Sequence, residues 1–264
     1  MQRAAGRLLA ARRRATWSVC VLLAAVLLTV SGGSARADPP AATESAGVAT
    51  VGPLFPAGLG SGHTCTASVI VSADHDLILT AAHCLSGDVT GWVLAPGYRS
   101  GATPYGAWEV TAAYLPQQWT ASQDPQHDYA ILRVAHQERG GSSVGVEDVT
   151  GSQLLLAAPT DGLNVTAVAY NAGTDDLPIS CTAVLTTTDG FPTFGCDGYV
   201  GGSSGSPWLA GDVVVGLIGG LHQGGCDDDT SYSPAFTTDI YLLWLRAAAG
   251  GGGDTAPVPG SDGC

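Results

Sequence analysis

The chain contains no lysine among its 264 residues, and its ten basic residues are all arginines. Six of these arginines precede residue 38, whereas all 23 acidic residues follow residue 37. From residue 38 onward the chain therefore has four basic residues against 23 acidic ones, a formal charge of −19. A surface of this charge argues against nucleic acid or an anionic membrane as a partner, and it favours solubility outside the cell.

Long apolar runs are also missing. The run at residues 19–30 is too short for a transmembrane helix, and nothing later in the chain is long enough either. It follows an arginine-rich start and precedes a small-residue motif, Ala-Arg-Ala, at 35–37, so residues 1–37 are predicted to be a signal peptide. The three arginines at 12–14 leave twin-arginine export open beside the general secretory route. We therefore expect a secreted, extracellular protein.

After residue 37 the apolar runs are short and separated by glycine, proline and threonine, a pattern typical of an all-β protein. The polar, glycine-rich residues 138–143 divide the predicted strands into two groups, 48–138 and 144–237. An apolar run then predicts a C-terminal helix at 238–249.

Two terminal segments lack such patterns. Residues 38–47 are small, polar and proline-containing, which predicts a disordered leader or propeptide. Residues 250–264 are predicted to be a glycine-rich tail, flexible unless Cys264 is bonded elsewhere.

Residues 201–207, Gly-Gly-Ser-Ser-Gly-Ser-Pro, place a serine among glycines and before a proline. Glycine allows backbone dihedral angles that other residues resist, so such a turn can expose a hydroxyl. It can also direct consecutive backbone N–H groups at one point, which suits a developing anion. Most Gly/Ser-rich segments are ordinary turns, so this stretch alone does not establish catalysis.

Two further segments supply the groups that a serine nucleophile requires. Residues 79–84, Leu-Thr-Ala-Ala-His-Cys, contain His83, and residues 127–132, His-Asp-Tyr-Ala-Ile-Leu, contain Asp128. Serine is a poor nucleophile unless a base takes its proton, and the base needs a partner that fixes its tautomer. Together the segments predict nucleophilic catalysis by a serine.

In the order His, Asp, Ser, these segments resemble the chymotrypsin (trypsin-like) serine protease family. That family has a TAAHC-type histidine segment, a D-x-A-hydrophobic aspartate segment and a G-x-S-G-[GS]-P serine segment. The resemblance covers roughly residues 48–249, and the Gly-Ser-Pro ending is similar to secreted bacterial members. It implies an all-β fold of two six-stranded antiparallel β-barrels with a C-terminal helix. It also implies a monomeric serine endopeptidase that acts on protein or peptide substrates without cofactor or metal.

The resemblance assigns roles to individual residues. Ser204, two residues after Gly202, would be the nucleophile, with His83 as the base and Asp128 as the residue that orients it. The backbone N–H groups of Gly202 and Ser204 would form the oxyanion hole. In animal members an aspartate precedes the nucleophile and pairs with a new N-terminus on activation. Ser203 stands there in this chain, so we expect a pocket that forms without that switch.

The resemblance also implies a specificity pocket, at positions that align less directly: Asp197, Gly198, Gly219, Gly220 and Ser233. Asp197 would favour basic substrates if its side chain pointed inward. Ile218 stands where the glutamyl endopeptidases have a histidine, and His222 follows four residues later. Specificity for glutamate is therefore not expected.

With Cys20 inside the predicted signal peptide, six cysteines remain, and these allow 15 pairings. The resemblance implies a Cys65–Cys84 bridge. Cys181 and Cys196 flank a predicted hairpin and are plausible partners, which would leave Cys226 for Cys264. The alternative, Cys196–Cys226, resembles the family's bridge beside the specificity pocket. Three bridges would fit an oxidising compartment.

Other functions remain open. A catalytically silent binding protein on the same fold would have no chemical need for the complete triad, whereas an esterase could use it. The α/β-hydrolases are disfavoured because no G-x-S-x-G elbow is present in Ser–Asp–His order. A zinc site would lack the usual paired ligand spacing; its candidate ligands would be His63, Cys65, His83 and Cys84. The three aspartates at 227–229 predict a solvated loop rather than a calcium site.

Overall fold

The computed structural model describes residues 38–156, 161–173 and 176–264, and the predicted signal peptide lies outside these ranges. The described residues form sixteen strands and three α-helices. The strands are β1 (Thr43–Glu44), β2 (Val51–Phe55), β3 (Cys65–Ile70), β4 (Leu77–Thr80), β5 (Val93–Leu94), β6 (Trp108–Tyr114), β7 (Ala130–Val134), β8 (Gln137–Arg139), β9 (Ser142–Val144), β10 (Leu154–Leu155), β11 (Asn164–Ala169), β12 (Ile179–Thr188), β13 (Phe191–Gly195), β14 (Pro207–Ala210), β15 (Val213–Leu217) and β16 (Thr230–Tyr232). The helices are α1 (Gln117–Ser122), α2 (Val146–Thr150) and α3 (Thr238–Ala249).

Six strands close into an antiparallel barrel in the order β2, β3, β4, β7, β6 and β5. Successive side chains of a strand point to opposite faces, and β4 shows why this closure is stable. Ile78 packs with Leu132 in one buried cluster, whereas Leu77 and Leu79 pack in another cluster that includes residues of the second sheet. A strand buried on both faces has a continuous apolar sequence, as residues 77–79 of β4 do.

The second group of strands forms an eight-stranded sheet along the path β10, β15, β14, β11, β12, β13 and β16, with β1 added beside β12. The predicted β12–β13 hairpin is confirmed. Its turn residues, Asp189 and Gly190, have φ angles of 52° and 80°, as a type I′ turn requires. A hydrogen bond of 2.9 Å from the Gly219 N–H to the Tyr232 carbonyl joins the chain after β15 to β16.

A hydrophobic cluster joins the barrel, the second sheet and α3. It contains Tyr129 from the barrel side, Tyr170 and Leu217 from the second-sheet side, and Phe236 and Ile240 at the start of the helix, all fully buried. Burying a side chain of this size contributes about 1.5–3 kcal/mol. This cluster fixes the relative position of the two sheets, and with it the loops that meet between them.

Three segments differ from the expectations. Residues 138–143, predicted as a connection, lie mostly in the β8–β9 hairpin, whose turn uses Gly140 and Gly141 at positive φ. The helix predicted from Thr238-Asp239 is present as α3, but its cap is Thr237, whose hydroxyl accepts a hydrogen bond from the Asp239 N–H. The hairpin depends on main-chain hydrogen bonds that side-chain composition does not reveal, whereas the cap is a side-chain hydroxyl one residue before the predicted start of the helix.

The third difference is the leader. Residues 38–47 were expected to be disordered, yet Thr43 and Glu44 pair with β12. Nearby, Asp197 exchanges backbone hydrogen bonds with Pro40 and Ala42, each of 2.8 Å. This pairing uses only main-chain groups, so a small, polar sequence can form it without an apolar pattern.

Candidate active site

Strand pairing in the first barrel brings His83 and Asp128 together. Strands β4 and β7 are antiparallel neighbours with Thr80 opposite Ala130. His83 lies in a 3-10 turn three residues beyond Thr80, and Asp128 lies two residues before Ala130. Because β4 ends and β7 begins at the same edge of this strand pair, the side chains of His83 and Asp128 meet there.

Asp128 is a fully buried carboxylate that accepts three hydrogen bonds. His83 donates from ring Nδ1 at 2.7 Å and from its backbone N–H at 2.8 Å, and the Gly220 N–H donates at 2.8 Å. A buried charge is tolerated only when it is paired and hydrogen-bonded in this way. Because a carboxylate only accepts, the proton of a neutral His83 lies on Nδ1 and leaves Nε2 as a base.

Asp124, an aspartate four residues before Asp128, has another partner. Its Oδ2 lies 2.9 Å from Nδ1 of His127, and Asp239 approaches Nε2 of the same ring at 3.2 Å. His127 is thus held between two acidic residues and is not directed at the serine loop. The structure therefore associates Asp128, and not Asp124, with His83.

The loop that carries Ser204 depends on two glycines. Gly202 has a φ of 98°, and a Cβ atom added there would lie 2.1 Å from the backbone nitrogen of Ala172. Gly205 has a φ of 81°, and its added Cβ would lie 2.3 Å from the carbonyl oxygen of Thr66. Both contacts are far shorter than a carbon atom tolerates. The Ser204 carbonyl itself accepts a hydrogen bond of 2.8 Å from the Thr66 N–H, which fixes the loop to β3.

The backbone N–H groups of this loop fall into two sets. Those of Ser203, Gly205 and Ser206 all donate to carbonyl groups. Those of Gly202 and Ser204 donate no hydrogen bond within the described part of the chain. Two unused donors on either side of one residue form an arrangement that can receive an oxyanion.

His83 and Ser204 line the same cavity, which has a volume of about 430 Å³. The described residues contain no hydrogen bond between the two side chains, and such catalytic contacts are often long without substrate. Tyr199 also lines the cavity; its hydroxyl donates to the Ala167 carbonyl at 2.9 Å, and burial raises its pKa above the usual range. The phenol therefore stays protonated near neutral pH and cannot itself accept a proton.

Comparisons with known proteins agree with this geometry. The trypsin-like peptidase domain family matches residues 65–217, more than half of the chain. The chain belongs to the trypsin-like peptidase family. This membership confirms the resemblance found in the three motifs, and the family is one of peptidases.

The solved structures of two proteases are similar to this chain. The protease Anisep from Arthrobacter nicotinovorans is 26% identical, with a TM-score of 0.68, and the match covers 79% of this chain and 100% of that one. A thermostable serine protease, AL20, from an extremophilic microorganism is 22% identical, with a TM-score of 0.64 and coverage of 77% and 98%. Because this identity is only 22%, the similarity to AL20 shows a shared fold alone.

One curated relative is 26% identical over 155 residues, which cover 56% of this chain and 46% of the relative. It is named an extracellular metalloprotease and comes from Bacillus subtilis (strain 168). The match thus spans about half the length of that protein. In the described residues of this peptidase, one group of potential metal ligands comes together, His222 with Cys226 and Cys264. Its two sulfur atoms are joined to each other in a disulfide and are not available as thiolate ligands.

Among the described residues there are three disulfides: Cys65–Cys84, Cys181–Cys196 and Cys226–Cys264. The alternative Cys196–Cys226 pairing is therefore wrong. The first bridge ties the His83 turn to β3, and it also removes both sulfur atoms from the zinc alternative. No helix in the described ranges is long and apolar enough to cross a membrane.

The five predicted pocket residues do not line the cavity beside Ser204. The cavity beside Ser204 is lined by Tyr199 and Val200, but not by Asp197, Gly198, Gly219 or Ser233. Asp197 is exposed and pairs with the N-terminal segment, and the Ser233 hydroxyl is buried between backbone groups of Leu217 and Pro234. Gly220 lines a second cavity instead.

Sequence reasoning missed most of the remaining lining. Residues 222–228 and Asp262 lie along the cavity beside Ser204. One signal was available, because the Cys226–Cys264 pairing already required the tail to return to this loop. The predicted flexible tail is therefore attached to the active-site face.

Proposed function

We propose that this chain is a secreted serine endopeptidase that cleaves peptide bonds through an acyl-enzyme, with Ser204 as nucleophile, His83 as general base and Asp128 as the orienting residue. The observation that carries the proposal is the buried Asp128 carboxylate on Nδ1 of His83, in a site where His83 and Ser204 share one cavity. This arrangement directs the basic nitrogen of His83 toward the space that a substrate would occupy.

In the first step, the Ser204 hydroxyl attacks the carbonyl carbon of the scissile peptide bond. Nε2 of His83 takes the hydroxyl proton as the C–O bond forms, and the imidazolium that results is stabilised by Asp128. The pKa of a histidine suits it to accept this proton near neutral pH and then to release it.

The tetrahedral intermediate carries a negative oxygen, which the N–H groups of Gly202 and Ser204 stabilise in the proposed mechanism. This role is supported because neither N–H group donates a hydrogen bond to another acceptor within the described residues. Removing one such donor typically costs about 100- to 1,000-fold in rate. Glycine at 202 keeps its donor in place because no other residue fits against Ala172.

Collapse of the intermediate breaks the C–N bond, and His83 gives its proton to the leaving amine. Water then attacks the acyl ester of Ser204 with His83 again as the base. The carboxylic acid leaves and Ser204 regains its proton. No cofactor is required for either half of this cycle.

We propose the same domain organisation as the sequence predicted: a signal peptide at 1–37, a leader at 38–47, and a protease domain at 48–249. The second sheet would be the second barrel, and the Gly219–Tyr232 hydrogen bond supports its closure. Three disulfides support an oxidising, extracellular location. We propose that the secreted form is a monomer.

A serine-directed fluorophosphonate tests the proposal. The wild-type chain should be labelled at Ser204, and labelling should abolish hydrolysis of a peptide library. Ser204→Ala should remove both labelling and hydrolysis, whereas the matched Ser203→Ala variant should keep labelling at Ser204. Wild-type hydrolysis by Ser204→Ala would reject the triad, and a folded wild-type chain with neither labelling nor hydrolysis would favour the silent binding protein. Ester hydrolysis without peptide hydrolysis would favour the esterase.

A further inference from the structure

Residues 258–264, which we call the cleft strap, are attached to the active-site face at several points. The Gln123 amide donates to the Val258 carbonyl at 2.9 Å and accepts from the Gly260 N–H at 2.6 Å. The Gln223 amide donates to the Gly260 carbonyl at 2.8 Å. The Cys226–Cys264 disulfide closes the far end of the strap.

The strap forms part of two adjoining cavities. The first is the cavity of about 430 Å³ beside Ser204, and Asp262 belongs to its lining. The second has a volume of about 440 Å³ and is lined on one side by residues of α1 and on the other by Gly260, Ser261 and Asp262. His222, Gln223 and Asp262 line both cavities, so they separate one from the other.

The residues between the cavities are held in an uncommon backbone conformation. His222 and Gln223 have φ angles of 52° and 53°, in the left-handed region that side chains other than glycine rarely adopt. Nδ1 of His222 donates to the Asp262 carbonyl at 2.9 Å, while Gln223 bonds to Gly260. Both strained residues thus depend on the strap for a hydrogen bond.

We propose that the cleft strap is a wall of the peptide-binding cleft and determines how residues next to the scissile bond are bound. The cavity beside Ser204 would take one residue of an extended peptide, and the second cavity would take a nearby residue of the same peptide. With the strap in place, each cavity still has a volume typical of a ligand site. The strap therefore borders the cleft and does not block it. This inference rests on the proposed peptidase function.

A chain that ends at Pro257 and carries Cys226→Ser tests the proposal without leaving an unpaired thiol. Two substrates are compared: a blocked single-residue ester of the residue that a peptide library identifies as the cleavage site, and a peptide that extends the same residue by three residues on each side. We expect the ratio of kcat/KM, peptide over ester, to fall about tenfold, mainly through a higher KM for the peptide.

A second pair of variants covers the case in which the shortened chain fails to fold. Gln123→Ala removes two hydrogen bonds to the strap and should lower the same ratio. Gln137→Ala is the matched control, because its amide is also engaged at both ends, with Ala107 and Arg139, and it lines neither cavity. It should leave the ratio unchanged.

The outcomes separate the two proposals. A wild-type chain that hydrolyses neither substrate overturns the proposed function and this inference with it. An active wild-type chain whose ratio is unchanged by strap removal, or by Gln123→Ala where the short chain does not fold, overturns this inference alone. A higher ratio after strap removal would also overturn it, because the strap would then be an obstruction to extended peptides.

Discussion

Gly220 donates its backbone N–H to Oδ2 of Asp128 at 2.8 Å, the same oxygen that accepts from Nδ1 of His83. Asp128 precedes β7 of the first barrel, whereas Gly220 follows β15 of the second sheet. A Cβ added at Gly219 would lie 3.2 Å from the same oxygen, so little space remains around it. The orientation of the base therefore depends on correct docking of both sheets.

Asp128→Asn should lower kcat for a peptide substrate by about 10,000-fold, the loss seen when the corresponding residue of a well-studied serine protease is changed in this way. An amide has one acceptor oxygen for three donors, and its NH₂ group cannot accept from Nδ1 of His83. Steady-state kinetics checks the effect. Asp124→Asn is the matched control and should keep kcat within about twofold, since Asp124 contacts His127. Similar losses in both variants would contradict the assignment.

Gly202→Ala should lower both stability and turnover. An added Cβ would lie 2.1 Å from the Ala172 nitrogen at a φ of 98°, so the loop must shift. We expect a loss of kcat of about 100- to 1,000-fold, as for an oxyanion-hole donor, together with a lower melting temperature. Gly195→Ala in β13 is the control, because nothing lies within 4 Å of its added Cβ, and it should leave kcat unchanged. Normal turnover by Gly202→Ala would contradict the assignment of this loop to the oxyanion hole.

The exposed pair His75 and Asp148 should make stability depend on pH. The hydrogen bond that the His75 ring donates to the Asp148 carboxylate raises the pKa of His75, whereas the hydrogen bonds from the Gly145 N–H and from His75 lower the pKa of Asp148. The stability from His75 is thus complete below its ordinary pKa of about 6.5 and is lost as pH rises through the raised value. The part from Asp148 is complete above its ordinary pKa of about 3.9 and is lost as pH falls through the lowered value.

His75→Asn tests this pair. Asparagine tolerates the φ of 56° at this position, so the change removes the charge and keeps the turn. The difference in melting temperature between wild type and variant should be larger at about pH 5.5 than at about pH 9, and salt should reduce it. A difference that does not vary with pH would exclude the ion pair as its source.

Mass spectrometry of protein from the culture medium should find an N-terminus at Asp38 or soon after. The sequence predicts cleavage after residue 37. The hydrogen bonds of Pro40, Ala42 and Thr43 hold the residues that follow this position against the folded domain. A stable cellular product that retains residues 1–37 would reject the predicted export.

Local patterns were sufficient to mark His83 and Asp128 as candidates, and the structure brings these two side chains together. His83 and Asp128 each follow or precede an apolar run, and the pairing of those runs brings them together. The pocket could not be predicted in the same way, because residues 222–228 and Asp262 are far apart in sequence and are held together by a disulfide with a separation of 38 residues and by hydrogen bonds to the tail. The docking of residues 38–47 was missed for another reason. Its pairing with β12 and with Asp197 uses main-chain groups, which every sequence shares.

Strand β1 has a consequence for the behaviour of the protein in concentrated solution. Ile179 and Ser180 of β12 bond to β11 on one side and to Glu44 and Thr43 on the other. A strand with a free side can template the addition of a second molecule, and covering it suppresses aggregation. Loss of the chain through Glu44 would expose this edge. A chain trimmed beyond Glu44 should therefore aggregate more readily than one that keeps β1.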